Sequence, residues 1–186
     1  MTEISDITKP LSSAAERFIL HWGDMGNQWG VNRSVSQIQA VLYLSDRALT
    51  AEEIAERLGM ARSNVSNSIR ELLTWNLIRR VPIKGDRRDH YEAETDIWEI
   101  FLRIAAGRKE REIDPAISVL KSCMSDVEND PTVSRVAAAR LKEMYAFVQM
   151  LDSWYGQMLS IPKSKLAAVV RLGTKIFRFL PSGKKK

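Results

Sequence analysis

Cysteine is nearly absent: Cys123 stands alone in 186 residues. No intrachain disulfide can form, so a packed core must hold the fold, and a reducing, cytoplasmic setting is expected. Lys121 is the nearest cation to that thiol, which reads as a small core residue rather than a redox sensor. The two histidines, His21 and His90, lie far apart in sequence. No spacing resembles a zinc site, so neither metal nor cofactor is expected. No phosphate-binding glycine loop joins a strand to a helix, and no nucleophile elbow is present. Carboxylates fall at helix caps and on helix faces, so no constellation supports catalysis and an enzyme is not expected. The N-terminal stretch lacks a signal-peptide core, and no apolar run approaches membrane-span length, so no membrane partner is expected. Acidic residues are missing after Asp152, where Lys163, Lys165, Arg171, Lys175, Arg178, Lys184, Lys185 and Lys186 follow. The net charge of +5 therefore comes from the C-terminal segment, and the rest of the chain is net acidic. A case for an anionic partner has to rest on where the charges stand, not on their sum.

What is present centres on residues 50 to 94. Thr50-Ala51-Glu52-Glu53 reads as a capping box, with Ile54, Ala55 and Leu58 as the apolar stripe of the helix it opens. Gly59 ends that helix, as a residue that takes positive φ at low cost. A second helix is predicted from Ala61 to Trp75, burying Val65, Ile69 and Leu72 at steps of four and three. Its other face carries Ser63, Asn67, Arg70 and Thr74, which no core requires. A small residue, a turning glycine and a wedging branched residue (Ala55, Gly59, Val65) form the packing pattern of a helix-turn-helix. By itself this pair also reads as an ordinary helical hairpin with a polar outer face. Leu77 to Ile83 then forms a β-rich run, Lys84 to Arg88 supplies a Gly-Asp turn, and His90 to Glu94 returns. From Arg79 to Arg88 five basic residues accompany one acidic one. Such a tip suits phosphates or a minor groove, whereas a solvated turn is the bland alternative. The DNA-contact candidates are Arg62, Ser63, Asn64, Ser66, Asn67 and Arg70 on the helix and Lys84, Arg87 and Arg88 on the hairpin.

The run LTAEEIAERLGMARSNVSNSIRELLTWNLIRR, with KGDRRDHYEAE after it, resembles the winged helix-turn-helix of the MarR superfamily. It is most similar to the GbsR-like branch. The resemblance covers residues 34 to 100 and is only architectural elsewhere. It implies a mainly α fold: a winged helix-turn-helix with a small β-hairpin wing, plus N- and C-terminal dimerisation helices. It also implies a homodimeric regulator of transcription on double-stranded DNA, a repressor of a palindromic operator released by a small effector. Ala61 departs from the family pattern, in which a Ser or similar residue caps the recognition helix, and that loses about 1 kcal/mol of capping. GbsR-like proteins are associated with choline-type ligands, and aromatic faces bind such cations. Trp22, Trp29 and Trp98 are the effector-binding candidates; packing is the alternative role for each.

Around this unit the chain is expected to divide into residues 1–33, an N-terminal helix with a Gly-rich elbow; 34–94, the DNA-binding domain; 95–181, a helical dimerisation region; and 182–186, a basic tail. Ser13 to Glu16 reads as a second capping box, opening a helix to Met25 that Gly23, Gly26 and Gly30 break. Ser34 to Gln37 reads as a third, opening a helix with Ile38, Val41 and Leu42. Asp96 to Glu99 restarts helix, and Pro115 is expected to break or kink it. Asp130 and Pro131 read as the cap and first position of a long helix. That helix carries a heptad seam of Ala137, Leu141, Met144, Val148, Leu151, Tyr155 and Met158. A last helix is expected from Lys163 to Leu180, with Leu166, Val169, Val170, Ile176, Phe177 and Leu180 apolar and Pro181 as its stop. Its basic amphipathic pattern leaves two alternatives to a regulator with effector: a winged-helix module without one, or a membrane- or partner-docking protein.

Overall fold

The computed structural model describes residues 11–173 and 175. The chain divides into two compact units, Met1–Arg103 and Ile104–Lys186. The first is built around one helix. α1 (Ser13–Gln28) is followed by α2 (Arg33–Tyr43), and every residue of α2 from Val35 to Leu42 is buried. A helix covered on all sides is a core element, not a surface one. β1 (Leu49–Thr50), α3 (Ala51–Leu58), α4 (Arg62–Thr74), β2 (Ile78–Val81) and β3 (His90–Ala93) follow, then the start of α5 (Ile97–Arg108). The strands form one antiparallel sheet in the order β1-β3-β2. Its register sets His90 between Thr50 and Val81, and Tyr91 between Leu49 and Arg80. Ile38, Leu49, Ile54, Val65 and Leu72 are among the largest fully buried side chains here, so helices and sheet share one core.

The predicted Thr50 capping box is present. Thr50 Oγ1 accepts from the Glu53 amide at 3.3 Å, and Glu53 Oε2 accepts from the Thr50 amide at 2.7 Å. Gly59 caps α3 in the left-handed region, at φ 61°.

Several sequence expectations are corrected. α1 is capped by Ser12, which accepts from the Ala15 amide at 3.2 Å, and not by Ser13. Asn32, not Ser34, caps α2, accepting from the Ser34 amide at 2.8 Å. An Asx cap two residues upstream outcompetes the Ser-x-x-Gln pattern. Gly23 and Gly26 do not break α1: both are buried inside it, and Gly30, at φ 78°, turns the chain after it. Their role is close approach. A Cβ on Gly26 would fall 1.9 Å from Ser36 Oγ, and one on Gly23 2.6 Å from Gln37 Cγ, so the missing side chains let α1 cross α2.

In the second unit α5 passes through a π-helical turn (Lys109–Ile113) into α6 (Asp114–Asn129), and α7 (Arg135–Ser160) and α8 (Lys163–Leu172) follow. Pro115 is therefore not a break. It stands in the first turn of α6, and the π turn before it accommodates its missing N–H. Lys109 holds this turn, reaching Asp114 at 2.5 Å and Asp152 on α7 at 2.8 Å. Asp130 does not cap α7 either. It closes a local turn onto the Thr132 amide at 2.8 Å, and Ser134 caps α7 through the Ala137 amide at 3.1 Å.

The heptad seam is split. Leu141, Val148, Tyr155 and Met158 are half-buried, whereas Met144 and Leu151 are exposed with Val136, Phe147, Met150 and Trp154. No residue of α7 is buried. The expected continuation of the last helix through Ile176, Phe177 and Leu180 to Pro181, the tail 182–186 and the first ten residues lie outside the described residues.

Candidate nucleic-acid interface

The local sequence makes α4 two-faced. Val65, Ile69 and Leu72 are buried on one side, with Ser68 between them. Arg62, Ser63, Ser66, Asn67, Arg70 and Thr74 are exposed on the other. Arg70 Nη1 donates to Asn67 Oδ1 at 3.3 Å, so the two side chains lie together on the outer face. Thr74 turns its hydroxyl back to the Arg70 carbonyl at 3.0 Å and is used locally. Asn64 is also committed: its Nδ2 donates to Ser34 Oγ at 2.9 Å, tying α4 to the start of α2. Ala61 caps α4 with no side-chain bond.

The wing sorts its cations by pairing. Arg79 pairs with Glu92 across the β2–β3 ladder, and Arg80 reaches Asp89 at 3.7 Å. Arg88 is clamped by Asp86, with Nε 3.0 Å from Oδ1 and Nη2 2.5 Å from Oδ2. Hydrogen bonds from the Arg88 side chain and amide hold the Asp86 carboxyl well below the usual carboxylate range. Beneath the tip His90 is buried, its Nδ1 3.0 Å from the Arg88 carbonyl oxygen. Lys84 and Arg87 are exposed and make no ion pair among the described residues. They are the tip cations available to a phosphate, whereas the charge of Arg88 is already balanced.

Between α4 and the wing root a hollow of about 130 Å³ is lined by Ser66, Arg70, Arg80 and Tyr91, among others. Arg80 counts among the five basic residues of the wing, but neither it nor Tyr91 is among the DNA-contact candidates that the sequence offers. The strand register pairs these two residues on β2 and β3, beside α4.

Of the three tryptophans expected to bind an effector, Trp22 lines a pocket whose walls include neither Trp29 nor Trp98. Trp22 shares this pocket of about 160 Å³ with Phe18, Gln39, Tyr43, Ile97 and Ile100. Its Nε1 donates to Gln39 Oε1 at 2.8 Å, and it stacks on Phe18 with centroids 5.5 Å apart. Trp29 follows α1 and is 57% exposed. Trp98 packs edge-on to Phe101 at 6.4 Å.

Residues 29–89 match the MarR family model, a span that contains α2 to α4 and the wing up to its second strand. Over that span the chain is similar to the MarR family. The HTH-type transcriptional regulator YvaV of Bacillus subtilis is 28% identical over 94 residues, which is 50% of this chain and 53% of YvaV. The chain thus spans about half the length of that relative. GbsR of Bacillus subtilis, an HTH-type transcriptional repressor, is 22% identical over 160 residues, covering 82% of this chain and 83% of GbsR. A crystal structure of a transcriptional regulator superposes with a TM-score of 0.61 at 17% identity, over 78% of this chain and 95% of that one, and shows the shared fold. These relatives are HTH-type regulators of transcription.

Proposed function

We propose that this chain is a MarR-type homodimer that binds double-stranded DNA at a two-fold symmetric operator, as a repressor tuned by a small molecule. One observation carries the reading. α4 buries a regular apolar stripe and turns Ser63, Asn67 and Arg70 outward, where packing has no use for them. Asn and Arg pair bidentately with adenine and guanine edges in the major groove. Lys84 and Arg87 extend beyond the helix at a turn tip, which suits backbone or minor groove but cannot follow base edges.

The exposed apolar stripe of α7 supports a dimer. Phe147 and Trp154 are 51% and 56% exposed, and a second copy offers an apolar cover for such a patch. Two recognition helices in a symmetric pair then read half-sites about one DNA turn apart. The aromatic pocket at Trp22 supports an effector. A ligand there shifts DNA affinity only by its differential affinity for two states of the protein. GbsR is a named repressor, which favours repression as the output.

Fluorescence anisotropy with DNA selected from a random pool tests the core of this reading. Binding that weakens steeply with salt and discriminates selected from random DNA supports it. Equal binding of both, or none, contradicts it. Titration of choline and glycine betaine into the complex, with Trp fluorescence read in parallel, tests the cationic form of the effector. No quenching and no change in Kd would remove that form.

A further inference from the structure

Arg103 lies where the recognition helix, the wing and α5 come together, and neither the family pattern nor the DNA-contact face includes it. α4 ends in a double turn. The Asn76 amide bonds the Leu73 carbonyl at 3.0 Å and the Leu77 amide bonds the Leu72 carbonyl at 3.0 Å. This is the Schellman arrangement, and it requires a left-handed residue after the cap. Asn76 fills it at φ 55°, the sole non-glycine residue with positive φ among those described. Asparagine tolerates that region less well than glycine, so the turn needs outside support. Arg103 supplies it: its Nη1 donates to the Asn76 carbonyl oxygen. A cation at this end also complements the helix dipole.

The same guanidinium holds two more groups. Its Nη2 lies 3.0 Å from Glu94 Oε2, and its Nε donates to Glu99 Oε1 at 3.0 Å. Glu94 is the residue leaving the wing, and its amide bonds the Leu77 carbonyl at 2.9 Å, next to Asn76. The end of α4, the exit of the wing and the first turns of α5 therefore meet on one planar fork. Lysine cannot reproduce that, since it offers a point charge rather than a fork.

We infer that Arg103 is a positioning residue for DNA recognition: it fixes the recognition helix relative to the wing, so that base edges and backbone are engaged together. This rests on the DNA-binding reading above. α5 also carries Ile97 and Ile100, which line the aromatic pocket, so the helix bearing the fork is the one a pocket ligand touches.

The test uses the full chain with Arg103→Ala and Arg103→Lys. Affinity for selected and for random DNA is measured across a salt series. In parallel, 19F NMR of 5-fluorotryptophan-labelled protein follows Trp75, the C-cap of α4, assigned through Trp75→Phe. Arg103→Ala should lose roughly tenfold on selected DNA and little on random DNA. The salt slope should stay unchanged, because Arg103 neutralises no phosphate, and the Trp75 resonance should move. Equal losses on both DNAs, with the slope falling by about one, would make Arg103 a phosphate contact and overturn the inference. So would unchanged affinity with an unmoved resonance. If the alanine variant does not fold, Arg103→Lys decides: it keeps the charge but not the fork, and should still lose roughly threefold on selected DNA. Full retention of discrimination by that variant overturns the inference. If the parent binds no DNA, the DNA-binding reading has failed, and the Trp75 resonance alone then shows whether Arg103 fixes the end of α4.

Discussion

Replacing Gly26 by alanine places one methyl group in the α1–α2 contact. Its Cβ would fall 1.9 Å from Ser36 Oγ and 2.7 Å from Ser36 Cβ. The hydroxyl can rotate away, but the Ser36 Cβ is fixed to the α2 backbone. Carbon atoms rest about 3.5–4.0 Å apart, so the helices must separate by about 1 Å. Overpacking of this kind costs about 1–3 kcal/mol, and a 2.7 Å carbon contact places it at the upper end. Against that, alanine gains about 1 kcal/mol over glycine in a helix interior. The expected net loss is about 2 kcal/mol. Ser36→Gly removes both offending atoms and leaves Val31 Cβ at 3.9 Å, an ordinary contact. Alone it should cost less than about 1 kcal/mol, since serine is itself a modest helix former. The pair should therefore recover most of the loss, with a coupling of about 3 kcal/mol, the full overpacking energy. Urea unfolding of the parent, both single variants and the double variant reads this directly. A Gly26→Ala protein as stable as the parent, or a double variant no better than it, would refute the close-approach argument.

Other consequences follow from the same geometry. Burial pulls the Glu53 pKa up, but the bonds from Arg47 and Thr50 outweigh it and leave the value below the ordinary 4.5. A lowered folded-state pKa means stability that is complete above the unfolded value and lost as pH falls through the folded one. Glu53→Ala should therefore cost about 2 kcal/mol near neutral pH, and the gap to the parent should narrow as urea midpoints are taken below about pH 4. Asn67→Ala or Arg70→Ala should lose about 1–3 kcal/mol on selected DNA and little on random DNA. Arg87→Ala should lower the salt slope by about one on both DNAs, and Arg88→Ala by clearly less, because Asp86 already balances it. Phe147→Asp should give a monomer in sedimentation at micromolar concentration with its helical content intact; a dimer of unchanged strength would place the interface elsewhere.

The winged-helix unit was legible because its signals are local. Thr50 with Glu53, Gly59, and the 65-69-72 stripe each act within one or two helical turns. The glycines of α1 were misread because their reason is tertiary: only the position of Ser36 and Gln37 on another helix shows why no side chain fits. β1 was missed because two residues carry no periodicity, and Leu49 and Thr50 pair through contacts made some forty residues away in sequence. At the wing tip the sequence showed five cations alike. The structure separates Arg88, neutralised by Asp86, from Lys84 and Arg87. The seam on α7 is legible as apolar content, but its division into covered and uncovered sides depends on what packs against it. Arg103 could not be found from sequence, since its partners Asn76, Glu94 and Glu99 form no motif.

The central claim is that the outer face of α4 reads DNA sequence as part of a symmetric pair. Selection of bound fragments from a random double-stranded pool by the full chain tests it most directly. The account predicts an enriched site with two-fold symmetry and half-sites about one helical turn apart, whose enrichment disappears with Arg70→Ala. A pool that returns unenriched, or an enriched site that Arg70→Ala and Asn67→Ala bind as well as the parent does, would contradict it.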